Sequence, residues 1–265
     1  MPETAQTWHH GLVAKWWSEF NVDGPEVEYF RRFVEPGGPA LDVACGTGRL
    51  LLPYLEAGLD VDGCDVSADM IELCREAAAS RGLSPTLFVQ PMHELDPPRS
   101  YRTIFVCGGF GLGSTREQDV AALGRFHRFL EPGGTLVVDN EAPYSYTTHW
   151  PYWLCKTRRD LPRPWPEHGD RRRASDGCDL EVRTRLVDLD PIAQRVTLEI
   201  RVEQSRDGTL VADEQHTLTM NLYFRNELLL MLAAAGFFGI EVYGDHTAER
   251  ATADHDFHVF VARKA

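Results

Sequence analysis

The sequence of 265 residues predicts an α/β fold: a doubly wound, mostly parallel seven-stranded sheet with an antiparallel β insertion. Residues 36–142 alternate short apolar segments with amphipathic helical segments, which is typical of a parallel sheet covered by helices. Residues 178–224 lose this alternation and contain three long strand-like segments, with turns near 190–191 and 207–208. Residues 225–265 return to one helix and two strands.

Glycines and a capping serine set the predicted element boundaries. Gly58, Gly82 and Gly236 each follow a helical segment, and glycine ends helices because it adopts a positive φ without strain. Ser67 precedes another helical segment and is a favoured N-cap residue. We predict strands at 39–44, 60–65, 86–90, 103–107, 135–139, 238–243 and 257–262, and helices at 49–57, 67–82, 117–130 and 225–235. The chain then divides into an N-terminal helical cap (1–35), a ligand-binding core (36–142), a β-rich lid (143–224) and a C-terminal completion of the core (225–265), in one domain.

Composition excludes several classes of partner. Acidic residues outnumber basic ones by 40 to 27, and the net charge of −13 repels phosphate backbones, so we expect no nucleic acid partner. No apolar run reaches the ~20 residues of a membrane helix, and the first ten residues do not resemble a signal peptide. We therefore expect a cytoplasmic protein without a membrane partner. No cysteine pair or His/carboxylate spacing fits a metal site, so no metal is expected.

A glycine-containing turn between the first strand and the next helix is the strongest functional signal. Gly46 and Gly48 let a ligand approach the backbone, and the following helix start presents free N–H groups. A dinucleotide site would need Gly or Ala where Leu51 stands. Asp42 lies close to the turn, where it attracts a cationic ligand and repels a pyrophosphate. Asp65 follows Gly46 by 19 residues, the spacing at which a carboxylate meets ribose hydroxyls in such folds.

The segments ALDVACGTGRLLLPYLEAGLDVDGCDVSADMIELCREA (40–77) and LEPGGTLVVD (130–139) resemble the class I S-adenosylmethionine-dependent methyltransferases of small molecules. The resemblance implies that the loop lies against the methionine part of the cofactor, that Asp42 helps hold its amino group and that Asp65 takes the ribose hydroxyls. Val66 and Met70 would line the adenine. The cofactor-binding residues so implied are Asp42, Ala44, Cys45, Gly46, Gly48, Asp65, Val66, Met70, Met92, His93 and Cys107.

Two positions depart from patterns known in related enzymes. Pro91 stands where the family often has an acid that binds the adenine amino group, so the Met92 backbone or His93 is the candidate for that contact. The segment 107–110 is Cys-Gly-Gly-Phe rather than the Asn/Asp-Pro-Pro-Tyr of enzymes that methylate nucleic acid amino groups. This difference favours a small-molecule acceptor.

The acceptor site carries no motif and is predicted from position. The insertion leaves the sheet at the carboxyl ends of the strands, where ligands bind in such folds, so it is placed to act as a lid. Aromatic residues could wall the acceptor pocket or form the small core of the lid itself. The candidates for the pocket are Trp17, Tyr144, Trp150, Tyr152 and Trp153, together with Tyr146. The candidates for a general base are Glu141, His149 and His246.

Several alternatives remain open at this point. The acceptor atom is O, N or C. The N-terminal aromatic residues cap the cofactor pocket or pack on the core. A nicotinamide-dependent oxidoreductase and a non-catalytic cofactor-binding module use related sheets. A free lid edge could pair two copies into a homodimer.

Overall fold

The computed structural model describes residues 7–265; residues 1–6, at the start of the predicted cap, lie outside it. The helices are Gly11–Phe20 (α1), Pro25–Val34 (α2), Leu51–Glu56 (α3), Ala68–Ser80 (α4), Arg116–Phe129 (α5), Cys155–Arg158 (α6) and Arg225–Ala234 (α7). The core strands are Ala40–Val43 (β1), Val61–Asp65 (β2), Leu87–Val89 (β3), Tyr101–Val106 (β4), Leu130–Glu141 (β5), Phe238–Gly244 (β10) and Phe257–Arg263 (β11). The strands of the insertion are Asp170–Arg173 (β6), Asp179–Asp190 (β7), Arg195–Arg206 (β8) and Thr209–Asn221 (β9).

The core sheet has the predicted seven strands in the order β10-β11-β5-β4-β1-β2-β3. Strands β1 to β5 pair in parallel, whereas β11 runs antiparallel to both of its neighbours. The doubly wound, mostly parallel prediction is therefore confirmed. Because β1 pairs with β2 on one side and with β4 on the other, the direction of winding reverses there and opens a crevice at the carboxyl ends of these strands.

The side chains of the central strands point alternately to the two faces of the sheet, and helices cover both faces. Phe105 packs in a cluster with side chains of α2 and α3, whereas its neighbours Ile104 and Val106 pack with α5 and α7. Successive side chains of a strand point to opposite faces, so a strand covered on both sides reads as a continuous apolar run. The cap of α4 is also as predicted, since the Ser67 hydroxyl accepts the Met70 N–H at 3.2 Å.

Several boundaries differ from the predictions by one to five residues. Helix α3 begins at Leu51 rather than at residue 49, because residues 46–50 form turns. Strand β5 begins at Leu130, because the segment around Gly133 is accommodated by a register shift against β4 instead of ending the strand.

The lid is an antiparallel sheet of four strands in the order β6-β7-β8-β9, one more than the three predicted. The additional strand is the short edge strand β6, whose residues are all exposed. Its Asp-Arg-Arg-Arg sequence has no apolar alternation, so the sequence analysis missed it. Arg171 and Arg173 both form ion pairs with Asp179 of β7, and charged residues on an edge strand oppose pairing with another sheet.

Helix α1 packs on the lid sheet rather than on the core sheet. Val13 and Trp16 are buried against Leu180 and Ile200 of the lid. The first N–H groups of α1 are divided between the core and the lid, since Gly11 donates to Asp69 of α4 and Leu12 donates to Glu214 of β9. The helix therefore joins the lid to the core. Within residues 7–265, no helix is both long and apolar enough to cross a bilayer.

Candidate functional site

A cavity of about 390 Å³ lies at the carboxyl ends of β1, β2 and β4, under α1 and the lid. Its volume is in the range of small-molecule and cofactor sites. Every predicted cofactor-binding residue except Gly48 lines it, namely Asp42, Ala44, Cys45, Gly46, Asp65, Val66, Met70, Met92, His93 and Cys107. The lid closes the opposite side with Leu198, Leu218 and Met220. The structure thus brings the loop, the second strand and the insertion together around one space.

Small residues allow the turns at the strand ends to approach each other. Ala44 and Gly46 adopt positive φ values of 60° and 55°. A Cβ on Gly109 would lie 2.5 Å from the Ala44 Cβ, so the turn after β4 requires glycine at that position. A Cβ on Gly48 would lie 2.8 Å from both the Cys74 Sγ and the Leu52 Cγ. Gly48 therefore serves the packing of the loop on its helices rather than lining the cavity.

Asp65 ends β2 with its carboxylate at the cavity. One carboxylate oxygen accepts the Gly46 N–H at 2.9 Å and the other accepts the Ser67 N–H at 2.8 Å. Burial raises the pKa of Asp65, and these backbone donors oppose that rise. Each oxygen has a second lone pair left to accept a further hydrogen bond. The carboxylate is thus held rigidly and suits a pair of ligand hydroxyls.

Asp42 is a buried carboxylate that lines the cavity, with 3% of its surface exposed. No hydrogen bond to its side chain is formed by any residue in the described part of the chain. Burial raises its pKa well above the usual range, and the nearby Cys74 and Asp65 add to the rise. A buried charge without a partner is costly, and a cationic group in the cavity would supply the partner. The site therefore fits a ligand that carries a positive charge beside the loop.

Arg49 is a cavity residue that the sequence analysis missed. Its guanidinium forms an ion pair with Glu26 of α2 and lies 3.7 Å from the Cys107 Sγ. Among the described lysines and arginines, Arg49 alone lines the cavity, so it is the natural partner for a carboxylate of the ligand. Its place directly after the loop glycine was visible in the sequence, but the direction of its side chain was not.

The aromatic candidates separate into two groups. Trp17 and Tyr146 line the cavity. The structure places the other four candidates, Tyr144, Trp150, Tyr152 and Trp153, outside it. Tyr152 is buried with Leu186 and Leu189 in a small cluster under the lid, and Trp150 is 43% exposed. Tyr152 and Trp153 therefore belong to the lid's own core, whereas Tyr144 and Trp150 are exposed.

A second, smaller cavity of about 90 Å³ adjoins the first at Gly108, Leu112, Tyr146 and Met220. The carboxylates of Asp139 and Glu141, both from the end of β5, line it. Glu141 accepts the Ser145 hydroxyl at 3.0 Å. The ring of His149 stacks on the ring of Tyr146 with centroids 5.3 Å apart. Two of the predicted base candidates therefore lie near Tyr146, since Glu141 lines the same cavity and His149 stacks on its ring.

The third base candidate, His246, is placed apart from both cavities. Its Nε2 lies 3.0 Å from Asp139 Oδ2, and the same oxygen accepts the Cys107 thiol at 3.4 Å. The other oxygen of Asp139 accepts the Gly108 N–H at 2.6 Å. Asp139 thereby fixes the turn after β4, and His246 holds Asp139.

Cys107, Asp139 and His246 also bring three potential metal ligands within 4.8 Å of one another, a set that sequence spacing could not reveal. The Arg49 guanidinium beside Cys107 opposes a cation there, since like charges repel. The absence of a resident metal stays a prediction.

A buried polar network anchors the lid to the core. Asp119 of α5 accepts the Ser114 hydroxyl at 2.6 Å, the Asn221 side-chain amide at 2.7 Å and the Tyr223 hydroxyl. Asn221 ends β9, so this carboxylate fixes the point at which the lid returns to the core. Asp119 also lines the cavity, and its partners Asn221 and Tyr223 lie more than 100 residues away in sequence.

The α/β fold and the geometry of the site fit a ligand that carries hydroxyls, a positive charge and a carboxylate. A family model described as "Methyltransferase domain" matches residues 40–134. The chain is 26% identical over 117 residues to the putative methyltransferase YqeM of Bacillus subtilis and spans about half of that protein's length (47%). It is 27% identical to the glycine/sarcosine N-methyltransferase of Halorhodospira halochloris, over 96% of this chain and 87% of that protein.

Solved structures show the same fold. An S-adenosylmethionine-dependent methyltransferase from Clostridium acetobutylicum superposes with a TM-score of 0.70 at 15% identity, over 91% of each chain. The sugar N-methyltransferase KedS8 from Streptoalloteichus superposes with a TM-score of 0.65 at 20% identity, over 91% of this chain and 87% of that chain. The chain carries a methyltransferase domain at residues 40–134, and its fold is that of solved S-adenosylmethionine-dependent methyltransferases. The nicotinamide-dependent alternative is thereby set aside.

Proposed function

We propose that this protein transfers a methyl group from S-adenosylmethionine to the nitrogen of a small-molecule amine. The observation that carries the proposal is the buried Asp42 carboxylate, which lines a closed cavity without a hydrogen-bond partner among the described residues. It calls for a cationic ligand, and S-adenosylmethionine carries an amino group and a sulfonium. Asp65 offers acceptors for the ribose hydroxyls, and Arg49 offers a cation for the methionine carboxylate.

When bound, S-adenosylmethionine would supply a methyl group on a positively charged sulfur. A lone pair of the acceptor attacks the methyl carbon, and the sulfur is the leaving group. The protein's own residues contribute alignment and exclusion of water. Trp17 and the lid residues Leu198, Leu218 and Met220 close the cavity with apolar surface. A closed and dry site holds the reactants in position and strengthens the electrostatic interactions within it.

Three arguments support nitrogen as the acceptor atom. The relative that aligns with almost the whole chain is named a glycine/sarcosine N-methyltransferase, and KedS8 is named a sugar N-methyltransferase. Asp139 and Glu141 make the adjoining cavity acidic, which attracts an ammonium group. The ring of Tyr146 at the junction can also attract a cation through its π face.

The experiment is a methyl-transfer assay with product detection by mass spectrometry. Glycine, sarcosine and D-glucosamine serve as amine acceptors, and catechol and phenol serve as matched oxygen acceptors. We expect methylation of at least one amine and of neither oxygen acceptor. Methylation of catechol or phenol alone would contradict nitrogen as the acceptor. Binding of S-adenosylhomocysteine without turnover of any of the five would favour the non-catalytic module. The small-molecule acceptor and the pairing of two lids into a dimer stay proposals.

A further inference from the structure

We propose that Tyr146 and Glu141 form a proton relay that converts the acceptor from its ammonium form to the reactive amine. In this relay, the Tyr146 hydroxyl contacts the acceptor nitrogen and Glu141 receives the proton. The inference rests on the proposed N-methylation and assigns residues to a step that N-methylation requires. A protonated amine has no lone pair, so it cannot attack until the proton has been removed.

The position of Tyr146 is the first argument. Tyr146 lines both the main cavity and the smaller one, whereas Glu141 lines only the smaller one. The tyrosine therefore stands between the space that holds the reactants and the carboxylate. Glu141 is held in place by the Ser145 hydroxyl at 3.0 Å, and the Tyr146 ring is held by the stacked ring of His149. Both members of the relay are thus fixed by neighbours from the same loop.

The electrostatics of the pair agree with this arrangement. Burial raises the pKa of Tyr146 above its ordinary value, and the negative charge of the nearby Glu141 raises it further. A neutral hydroxyl that donates to a carboxylate has a lone pair free to accept from an ammonium N–H. Two carboxylates beside the site also make the arrival of a cation favourable.

The charged and titratable groups around Glu141 come from several elements, and a pH profile must take them into account. Strand β5 and the loop after it contribute Asp139, Tyr144, Tyr146 and His149. The loop between β10 and β11 contributes Asp245, His246 and Asp256, and β11 contributes His258. Asp139 is paired with His246, and Tyr144 contacts His258 Nε2 at 3.3 Å. Burial lowers the pKa of His149 and of His258, so both are neutral at pH 7.

The proton balance of the step is simple. An N–H bond of the acceptor ammonium breaks and its proton goes to the Tyr146 oxygen, while the Tyr146 proton goes to the Glu141 carboxylate. The tyrosine is unchanged, the glutamate becomes a neutral acid, and the nitrogen regains its lone pair. That lone pair forms the new N–C bond as the S–C bond of the methyl donor breaks, and the electron pair stays on the sulfur. Glu141 returns its proton to solvent when the lid releases the product.

The kinetic test compares Tyr146→Phe and Glu141→Gln with the wild type, using whichever of glycine, sarcosine and D-glucosamine is methylated fastest. We expect kcat/KM at pH 7 to fall by about 100-fold in either variant, the order of a lost general base. At pH 9.5 to 10 a much larger fraction of the acceptor is already neutral, so the variants should lose less activity relative to the wild type. The matched control is Tyr144→Phe, a tyrosine of the same loop that lines neither cavity. An equal loss at both pH values would mean a structural role and would overturn the relay, as would no loss at pH 7.

A second measurement needs no acceptor. The wild type and Glu141→Gln, labelled at tyrosine Cζ with ¹³C, are compared by NMR at pH 7 in the presence of S-adenosylhomocysteine. We expect the substitution to shift the Tyr146 resonance, because its hydroxyl loses a charged neighbour, and to leave the Tyr144 resonance unchanged. An unchanged Tyr146 resonance would overturn the relay, whatever acceptor the protein uses. If Tyr146 responds as expected but no amine is methylated, the proposed function fails and the relay with it, although the contact between the two residues stands.

Discussion

Replacing Asp65 with asparagine tests the cofactor site most directly. Each carboxylate oxygen of Asp65 already accepts one backbone N–H, at 2.9 Å from Gly46 and 2.8 Å from Ser67. Asparagine keeps one acceptor oxygen but turns an NH₂ group toward a backbone donor, and it removes the negative charge. The loss of at least one charge-assisted hydrogen bond to the ribose corresponds to about 2 kcal/mol of binding free energy.

The assay is a calorimetric titration with S-adenosylhomocysteine. A loss of about 2 kcal/mol weakens binding by roughly 30-fold, since 1.4 kcal/mol is tenfold. Asp62→Asn is the matched control, because Asp62 is a buried carboxylate on the same strand that binds Arg99 and Tyr101 rather than the cavity. We expect the control to lose stability and to keep its cofactor affinity. Equal affinity losses in the two variants, or none in Asp65→Asn, would refute the assignment of Asp65 to the ribose.

Three further substitutions probe other parts of the site. Asp42→Asn should raise the urea midpoint of the ligand-free protein at pH 7 and weaken S-adenosylhomocysteine binding. Because the folded-state pKa of Asp42 is raised, stability falls as pH rises from the unfolded pKa of about 3.9 through the folded value, and asparagine removes that loss. A lower urea midpoint at pH 7 would contradict this reasoning. Asp119→Ala should lower the free energy of unfolding by about 3 kcal/mol, because it leaves buried donors unpaired. Urea denaturation measures this free energy. A change within experimental error would show that Asp119 does not anchor the lid to the core. Gly109→Ala should abolish cofactor binding in calorimetry while the protein remains folded by circular dichroism, since its Cβ would lie 2.5 Å from that of Ala44; unaltered affinity would show that the two turns need not approach.

The sequence determined the structural features that depend on residues close to one another in the chain. Ser67 caps α4 because an N-cap acts on a donor three residues away. The hairpin turn at Asp207 and Gly208 adopts positive φ at both residues, as Asp-Gly pairs favour. The order of Asp42, the glycine turn and Asp65 predicted one side of the cavity, because Asp42 and the turn stand at the end of β1 and Asp65 stands at the end of β2. Local pattern sufficed, since parallel strands bring their carboxyl ends to one edge of the sheet.

The tertiary structure alone decided which side chains meet across long sequence separations. The contact of His246 with Asp139, and the choice of Tyr146 and Trp17 over the neighbouring aromatics as cavity residues, follow from the docking of the lid and α1 on the core. The local sequence does not specify this docking, because an aromatic side chain packs equally well in the core of the lid and in the wall of a cavity. The same holds for the direction of the Arg49 side chain. The sequence therefore determined the side of the cavity formed by the glycine turn and the strand ends, and the packing of the insertion decided the side that the lid covers.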